Sequence, residues 1–533
     1  MAHDIFSDYI NKQRKKIPEL NENNVSANER DKHDDTISIL KEISSKLDVF
    51  NRTQDYIENI SNELTGSKSS SAAYAADIGL PADSYADIAI ENGKVVIPGC
   101  GVIDTNVYIK DGRIYSLGVN PYIKAKKRID ARNKYVVPGI IDPHVHLGLF
   151  ASLTDELISE TKAALVGGIT TIGCHIGSKE SHMRSFPGIA EKINNYSHVD
   201  IVPHFVITTD EQRREIKSYI DKFGVTSFKV YMNGIPGLIP DVDDGFILDV
   251  LSEIKKSDKK SILCCHAENR DIIRRAYNYV KEEKGDNATI QDWSDTHPDI
   301  AEEEAVMRLS FLAEKSEVPV YFVHISSKNA VKRLQEIKRT NKYINIETTS
   351  PYLSLTRNVT AKNNIKMEPP FREQEDVEEL WKAVFEGVVD TIGTDNVTMT
   401  MSEKKINDTI WNTIPGYPAL ETHLPVLLNE GVVKRGIPLD LLIGKLTRTP
   451  AEIFGIYPQK GTILPGSDAD VVIIDMDMSK EVKASERSTR SDFSLYEGEK
   501  IQGWPVLTIK NGELAAENGE YLGNHPGGKY IKR

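Results

Sequence analysis

Two histidines at the end of a predicted β-strand are the residues of this sequence best placed to do chemistry. The stretch 136–148 is apolar and β-branched until Asp142-Pro143, and His144 and His146 follow. Side chains alternate along a strand, so these two imidazoles point the same way. Ligands collect at the C-terminal ends of buried parallel strands, and paired imidazoles are typical of metal sites. The motif alone leaves open a hydrogen-bonded histidine pair at a strand edge.

Four further side chains that could bind a metal lie on later predicted strands. They are Lys229, His266, His324 and Asp395. Each has an ordinary structural explanation by itself: a core histidine, a lysine that reaches solvent, or an aspartate that caps a helix. A barrel would bring all of these strand ends to one face, where catalysis takes place. Together, the four residues favour a single metal-dependent site.

The middle of the chain, about residues 139–460, alternates short apolar strands with helical stretches. Seven predicted strands follow the first one, at 168–173, 200–207, 227–231, 261–266, 319–324, 344–347 and 390–393. Eight strands with helices between them match the count and size of a (β/α)8 barrel. The predicted fold class is therefore α/β, with a barrel of TIM type over residues 139–460.

Both flanks of this region are predicted to be β-rich. Short alternating strands surround the turns Asn92-Gly93, Asp111-Gly112 and Asn511-Gly512, and each turn is a strong hairpin signal. Two β-rich ends around a middle of another kind predict one composite β-sandwich domain. It would be built from residues 85–138 together with residues 461–533, which include the C-terminal tail.

The first 84 residues differ in character from the rest. They are charged and Asn-rich up to Asp35, and apolar residues then recur at three- and four-residue steps from Leu40 to Leu64. This spacing predicts an amphipathic helix, followed by a Ser-rich linker. The helix either lies on its own domain or self-associates as a short coiled coil.

The bulk composition weighs against several classes of function. The net charge of −13 argues against a polyanion-binding surface, so we expect no nucleic-acid partner. Four cysteines in 533 residues predict no disulfide framework. The sequence shows no signal peptide or apolar run of membrane-spanning length, which predicts a cytoplasmic protein without a membrane partner.

The motifs around the candidate ligands resemble those of a known group of enzymes. The motifs are Asp142-Pro-His-Val-His146, Ser227-Phe-Lys-Val-Tyr-Met232, His266-Ala-Glu-Asn269, Val323-His-Ile-Ser-Ser327 and Gly393-Thr-Asp-Asn396. They are similar to the hydantoinase, dihydropyrimidinase, allantoinase and dihydroorotase branch of the amidohydrolase superfamily. The resemblance covers about residues 85–533 and implies a hydrolase that opens a cyclic amide or ureide ring.

The resemblance also implies a cofactor and a set of ligands. In that family a lysine carbamylated by carbon dioxide bridges two divalent metals, usually zinc. Carried over to this chain, the ligands would be His144, His146 and Asp395 for one metal, His266 and His324 for the other, and Lys229 as the bridging N6-carboxylysine. A metal-bridging hydroxide would attack the amide, and Asp395 would pass the proton to the leaving nitrogen. Members of that family usually form homo-oligomers, so the resemblance further implies a homotetramer.

Several positions depart from the family's substrate-binding pattern. Gly234 stands where hydantoinases place a tyrosine that assists the carbonyl oxygen, which makes Tyr231 a candidate replacement. Gly148 stands where dihydroorotases place an arginine, and this weighs against a ring that bears a carboxylate. Gly416 stands where hydantoinases place a substrate-binding asparagine.

Glu368 is the fourth departure, because it replaces the serine of a Ser-Pro-Pro-Leu-Arg motif. A carboxylate near the substrate favours a donor-rich ring, unless Glu368 faces solvent or pairs with Arg372. The Leu-Glu-x-x-Leu-Pro pattern from Leu420 is closer to allantoinases and dihydroorotases, which leaves the subfamily open. An allantoinase-type ureide hydrolase is the alternative activity. A non-catalytic dihydropyrimidinase-like scaffold is disfavoured because every ligand position is intact. A deaminase on the same barrel fits less well because the bridging lysine marks the amide-hydrolysing branch.

Overall fold

The computed structural model describes residues 85–119, 123–235, 237, 239–358, 365–406, 408–523 and 527–533. The chain separates into two units, Met1–Ala82 and Asp83–Arg533, and every element below belongs to the second. The amphipathic helix and linker predicted for residues 1–84 lie outside the described residues.

The strands, numbered in chain order, alternate with helices through the middle of the chain. The strands are β1 (Tyr85–Glu91), β2 (Lys94–Ile97), β3 (Gly101–Asp104), β4 (Val107–Lys110), β5 (Arg113–Leu117), β6 (Lys124–Asp130), β7 (Tyr135–Pro138), β8 (Ile140–His146), β9 (Ile169–Ile176), β10 (Asp200–Val206), β11 (Ser227–Tyr231), β12 (Ile262–His266), β13 (Val320–Phe322), β14 (Ile344–Thr349), β15 (Thr391–Gly393), β16 (Asn396–Val397), β17 (Val471–Glu481), β18 (Lys500–Lys510), β19 (Glu513–Glu517) and β20 (Glu520–Tyr521).

The helices lie mainly between the barrel strands. They are α1 (Leu153–Val166), α2 (His182–Tyr196), α3 (Asp210–Arg214), α4 (Ile216–Phe223), α5 (Asp244–Lys255), α6 (Arg270–Lys284), α7 (Ile290–Asp295), α8 (Asp299–Ser316), α9 (Lys328–Lys338), α10 (Gln374–Phe385), α11 (Met401–Lys404), α12 (His423–Leu427), α13 (Leu439–Leu446) and α14 (Arg448–Ile453). Single turns of other helix types occur at Gly285–Asn287, Leu428–Val433 and Ala484–Glu486. No helix in this part of the chain is both long and apolar enough to cross a membrane.

The central sheet is a closed parallel barrel. Its strand order is β15-β14-β13-β12-β11-β10-β9-β8-β16, and every pairing is parallel. β15 and β16 are two halves of one last strand, because only Thr394 and Asp395 separate them. The N–H of Asp395 donates to the carbonyl of His144 at 2.9 Å, so this last strand joins β14 to β8. The ring therefore has eight strands, and the predicted barrel is confirmed.

A β-sandwich built from both flanks accompanies the barrel. A four-stranded sheet has the order β5-β4-β1-β6, and a seven-stranded sheet has the order β20-β19-β18-β17-β7-β2-β3. Apolar side chains from both sheets, such as Ile90, Ile109, Val136 and Ile473, share one buried core. The predicted pairing of barrel and sandwich is confirmed, whereas the limits drawn at residues 84, 138 and 460 stay predictions.

Two of the three predicted hairpins are confirmed. Asp111-Gly112 joins the antiparallel strands β4 and β5, and Asn511-Gly512 joins β18 and β19. All four turn residues have positive φ, between 51° and 79°. A two-residue turn of this kind matches the twist of the flanking strands, which is why these residue pairs mark hairpins so reliably.

The hairpin predicted at Asn92-Gly93 is wrong. β1 pairs with β4 and β6, whereas β2 pairs with β3 and β7, so the chain changes sheets at this point. A Cβ on Gly93 would lie 2.7 Å from Cγ2 of Val136 and 2.9 Å from Cβ of Ala131. The glycine is needed for this close approach as the chain crosses between the layers.

The helices that follow the ligand-bearing strands begin at capping residues from the same motifs. The Asn269 side chain accepts from the N–H groups of Asp271 and Ile272 at the start of α6. Ser327 accepts from the N–H of Ala330 at the start of α9. Each cap satisfies backbone groups that a helix leaves free at its first turn. The motif residues therefore fix both the strand end and the helix that follows it.

Candidate active site

Three predicted ligands form one compact, buried cluster at the C-terminal end of the barrel. His144 and His146 end β8, and Asp395 lies between β15 and β16. Oδ1 of Asp395 lies 3.2 Å from Nε2 of His144 and 3.3 Å from Nε2 of His146. One donor atom from each residue falls within 4.8 Å of the others, a spacing that suits a shared metal ion.

A second pair of imidazoles comes from the neighbouring strands β12 and β13. Nδ1 of His266 and Nε2 of His324 are 3.0 Å apart, and the His324 ring lies 5.4 Å from the His144 ring. Two candidate ligands also have unusual backbone conformations, with φ of 41° at His324 and 55° at Asp395. Non-glycine residues rarely adopt positive φ, and such strain tends to occur at functional sites.

Lys229 lies on β11, between the two clusters in strand order. Its side chain is fully buried, and Nζ has no hydrogen-bond partner. Nζ lies 4.7 Å from the centroid of the Tyr231 ring, which confirms that these two residues share a strand face. Burial lowers the pKa of the Lys229 amine, although Asp395 opposes this effect. The neutral amine is the form that reacts with carbon dioxide.

Burial favours the uncharged form of two imidazoles of the site, those of His144 and His324. It lowers the pKa of His144 and of His324 well below the usual value, and neighbouring imidazoles add to this effect. A neutral imidazole retains a lone pair, which is what a metal ligand requires. Burial therefore favours, for His144 and His324, the protonation state that binds a cation.

Three residues that the sequence analysis missed complete the ring of strand ends. The ring centroid of His175, on β9, lies 4.4 Å from that of His144. The ring centroid of His204, on β10, lies 4.9 Å from that of His175. Oε1 of Glu347 on β14 lies within hydrogen-bond distance of Nδ1 of His144, at 2.9 Å. A signal for each was present, because each is a polar residue in the second half of a strand that is mostly apolar or β-branched.

Glu268 is a further residue without a predicted role, and it orients His266. Its carboxylate contacts Nε2 of His266 at 2.9 Å and Nδ1 of His297 at 3.1 Å. Burial alone would raise the pKa of Glu268, but His297 and His266 hold this pKa well below its usual range. Because an ionised carboxylate only accepts, Nε2 of His266 carries the proton and the Nδ1 lone pair faces His324.

The glycine that replaces the family tyrosine has no room for a side chain. A Cβ on Gly234 would lie 2.6 Å from the N atom of Asp241 and 2.9 Å from the carbonyl oxygen of Ile239. The loop doubles back here, with Ile235 N–H donating to the Ile239 carbonyl at 2.8 Å. By contrast, the hydroxyl of Tyr231 is buried without a hydrogen-bond partner.

The other two substrate-binding candidates differ in their surroundings. Glu368 is only 7% exposed, and the Arg372 guanidinium instead bonds to Ser326 and to the His297 carbonyl. Both structural alternatives for Glu368, exposure to solvent and pairing with Arg372, are therefore wrong. The N–H of Gly416 donates to the Lys366 carbonyl, and the carbonyl of Gly416 accepts from Nζ of Lys404. Substrate binding by Gly416 stays a prediction.

The structure thus brings all six predicted ligands to one end of the barrel. Their strands are neighbours in the sheet, and the rings, carboxylate and amine are buried together. Metal binding by these residues stays a prediction.

Comparison with known proteins identifies relatives that this chain matches over nearly their whole length. A model of the amidohydrolase family matches residues 135–515. The D-hydantoinase of Geobacillus stearothermophilus is 32% identical over 463 residues, covering 83% of this chain and 96% of the relative. The L-hydantoinase of Paenarthrobacter aurescens is 29% identical over 464 residues, covering 84% and 98%.

Solved structures show the same architecture. A dihydropyrimidinase from Brevibacillus agri superposes with a TM-score of 0.78 at 28% identity, covering 84% of this chain and 98% of that one. An L-hydantoinase from Arthrobacter aurescens superposes with a TM-score of 0.77 at 28% identity, covering 84% and 100%.

Proposed function

This chain belongs to the amidohydrolase family, and from that premise we propose that it is a metal-dependent hydrolase that opens a cyclic amide or ureide. The observation that carries the proposal is the convergence of six strand-end donors in one buried site. The relatives support it, because they are named hydantoinases and a dihydropyrimidinase and this chain covers nearly all of each. The reaction adds water to a ring carbonyl and breaks the carbon–nitrogen bond.

The donor set fits two divalent cations, which we propose to be zinc. Nitrogen and carboxylate donors are the ligands that zinc prefers. Nζ of Lys229 and Nδ1 of His324 are buried polar atoms without a hydrogen-bond partner among the described residues. His144, His146 and Asp395 would hold one ion, and His266 and His324 the other. When bound, the metals lower the pKa of a water molecule and polarise the carbonyl.

Lys229 is proposed to be carbamylated by carbon dioxide. An ammonium at this position would repel two dications, whereas a carbamate carries negative charge and two donor oxygens. Complete burial disfavours the charged ammonium, and no carboxylate lies within ion-pair distance of Nζ among the described residues. These observations support N6-carboxylysine as the bridging group.

Asp395 is proposed as the general base and acid. It would accept the proton that the attacking water loses and deliver it to the ring nitrogen as the carbon–nitrogen bond breaks. Its position supports this role, because the backbone hydrogen bond to His144 fixes it at the edge of the cluster. The products are a free carboxylate and an amine or ureido group on one chain.

Tyr231 is proposed to stabilise the oxygen that becomes negative during the attack. Its hydroxyl is buried, lacks a partner and belongs to the strand face that carries Lys229. Burial raises the pKa of this hydroxyl, so it remains a proton donor at neutral pH. The blocked space at Gly234 supports the same assignment, because no side chain could act from there.

The test is a comparison of cyclic amides with purified, zinc-loaded enzyme. We expect ring opening of a neutral or donor-rich ring, with neither dihydroorotate nor dihydrouracil as the best substrate. Hydantoin, allantoin, dihydrouracil and dihydroorotate form the panel, and product is measured by chromatography. Chelator-treated enzyme is the control. Enzyme that holds two metals yet opens none of these rings would overturn the proposal and favour a scaffold.

We also propose a cytoplasmic homotetramer. The tetramer rests on the family resemblance, and the mass in solution tests it.

Deletion of residues 1–84 should leave the metal content and activity of the remainder intact. Loss of metal in that truncated chain would place part of the site in the extension.

A further inference from the structure

Glu368 is a buried carboxylate whose Oε2 finds no hydrogen-bond partner among the described residues. It is 7% exposed. No basic side chain in the described part of the chain forms an ion pair with it. The neighbouring carboxylates differ, since Glu268 contacts two imidazoles and Glu302 accepts from Ser326 and Ser327. Burying an unpaired polar group is costly, so a partner from outside the protein is expected.

The described part of the loop that carries Glu368, residues 365–373, is hydrogen-bonded to α7. The loop connects β14 to α10 and is anchored to α7 at two points. Nε1 of Trp293 donates to the Met367 carbonyl at 3.0 Å, and the Ser294 hydroxyl donates to the Phe371 carbonyl at 2.8 Å. The loop therefore fixes where the carboxylate lies.

A chain of contacts connects Glu368 to the site that holds His266. Trp293 donates to the carbonyl of Met367, the residue before Glu368, and the Trp293 ring lies 5.1 Å from the His297 ring. Burial raises the pKa of the Glu368 carboxyl and is the largest effect on it. His297, Lys366 and His266 lower this pKa, and Glu268 raises it. His297 and His266 both contact Glu268, whose carboxylate joins the two rings. Glu368 thus lies beside the group of residues that holds the candidate ligand His266.

The nearby lysine is not available to neutralise Glu368. Nζ of Lys366 donates to the carbonyls of Ile410 at 2.8 Å and Thr413 at 2.7 Å. The same ammonium lies 3.8 Å from the centre of the Trp293 ring. These three contacts occupy the ammonium, and it forms no ion pair with Glu368.

We propose that Glu368 is a specificity-determining residue that accepts hydrogen bonds from an N–H-rich substituent of the cyclic substrate. Amino, guanidino and ureido groups share this chemistry, whereas a substituent that bears a carboxylate would be repelled. The inference rests on the proposed function, because it assumes a cyclic amide bound beside His266.

The experiment uses three hydantoins that differ only in the group on the ring carbon, namely aminopropyl, ureidopropyl and butyl. Calorimetry measures the Kd of each with the full-length, zinc-loaded protein, and kcat/KM is measured in parallel. Glu368→Gln keeps the shape and one acceptor but removes the charge, and Glu368→Ser removes both. Glu421→Gln is the matched control, because Glu421 is a similarly buried carboxyl that contacts Ser488 and Arg487 instead.

The wild type should bind the aminopropyl ring at least about tenfold more tightly than the butyl ring, as expected for a hydrogen bond to a charged group. Glu368→Gln should remove this preference and leave butyl binding unchanged, with a smaller effect on the ureidopropyl ring. Glu368→Ser should remove both preferences, and Glu421→Gln should keep them. Equal affinities in the wild type, or a preference that survives in both Glu368 variants, would overturn the inference.

The two proposals fail in different ways. If the preference in Kd is present but no ring is opened, the proposed hydrolysis is wrong while the role of Glu368 in binding stands. If rings are opened without any preference, the hydrolysis stands and the role of Glu368 is wrong.

Discussion

Nδ1 of His266 lies 3.0 Å from Nε2 of His324, and the opposite nitrogen of His266 donates to Glu268 at 2.9 Å. Two imidazoles on adjacent strands are therefore turned toward each other, and one of them is held by a buried carboxylate. Such an outer carboxylate fixes both the tautomer and the direction of a metal-binding histidine.

His324→Ala should reduce the metal content from two ions per chain to one. The variant removes one donor of the pair and leaves the His144, His146 and Asp395 cluster complete. Elemental analysis of zinc-loaded protein measures the ratio. His423→Gln is the control, because His423 is equally buried but its Nδ1 contacts the hydroxyl of Ser350, at 2.8 Å. An unchanged ratio of two would remove His324 from the ligand set.

Lys229→Ala should lose both metal and activity, and short carboxylic acids should restore part of each. The added acid would occupy the space of the side chain and supply the bridging carboxylate. Metal content and turnover are measured with and without propionate. The intact wild-type protein should also carry the added mass of carbon dioxide. A wild-type mass without this addition, at full metal content, would exclude the carbamate.

Asp395→Asn should fold normally and lower kcat by about 10²–10⁴, the usual contribution of general acid–base catalysis. Asp390→Asn is the matched control at the far end of the last strand, where Asp390 contacts Lys338. Steady-state rates at equal metal loading provide the measurement. Near-normal turnover in Asp395→Asn would assign the proton transfer to another group.

Tyr231→Phe should lower kcat by about 10²–10³ with little change in KM, because only the transition state carries the full oxyanion charge. Tyr530→Phe is a suitable control. Its hydroxyl is also buried without a partner, but it packs against Phe186 beside the start of β10. If both variants kept the wild-type kcat, the oxyanion would need a different donor.

Glu421→Gln should stabilise the protein more at pH 8 than at pH 5. Burial raises the pKa of the Glu421 carboxyl from 4.5 to about 7, against the opposing effect of Arg487. A raised folded pKa means that the fold favours the protonated acid, so this group costs stability as the pH rises from about 4.5 to 7. The full effect corresponds to about 3 kcal/mol. Thermal midpoints of variant and wild type at both pH values provide the test, and a pH-independent difference would contradict it.

Much of the site could be predicted from the sequence because its signals are local. A period of two places alternate side chains of a strand on one face, so His144 and His146 belong together without knowledge of the fold. The turns at Asp111-Gly112 and Asn511-Gly512 are equally local, since their residues favour positive φ wherever they occur. The barrel followed from counting such strands and the helices between them.

Other features depended on contacts between distant parts of the chain. The apolar run that contains Val136 and His146 looked like one strand, yet it is two. β7 ends in the sandwich and β8 begins in the barrel, and Gly139 lies between them because a Cβ there would lie 2.2 Å from Oγ1 of Thr170. Likewise, only the closed barrel shows that His175 belongs to the candidate site, because its ring lies against that of His144.

The residue types and their order along the chain therefore determined which side chains could bind metal, because strand alternation is a property of the local backbone. Only the tertiary structure decided that Gly234 has no space for a side chain and that Glu368 is buried without a partner. Space and partners depend on residues distant in sequence, which the closed barrel brings together.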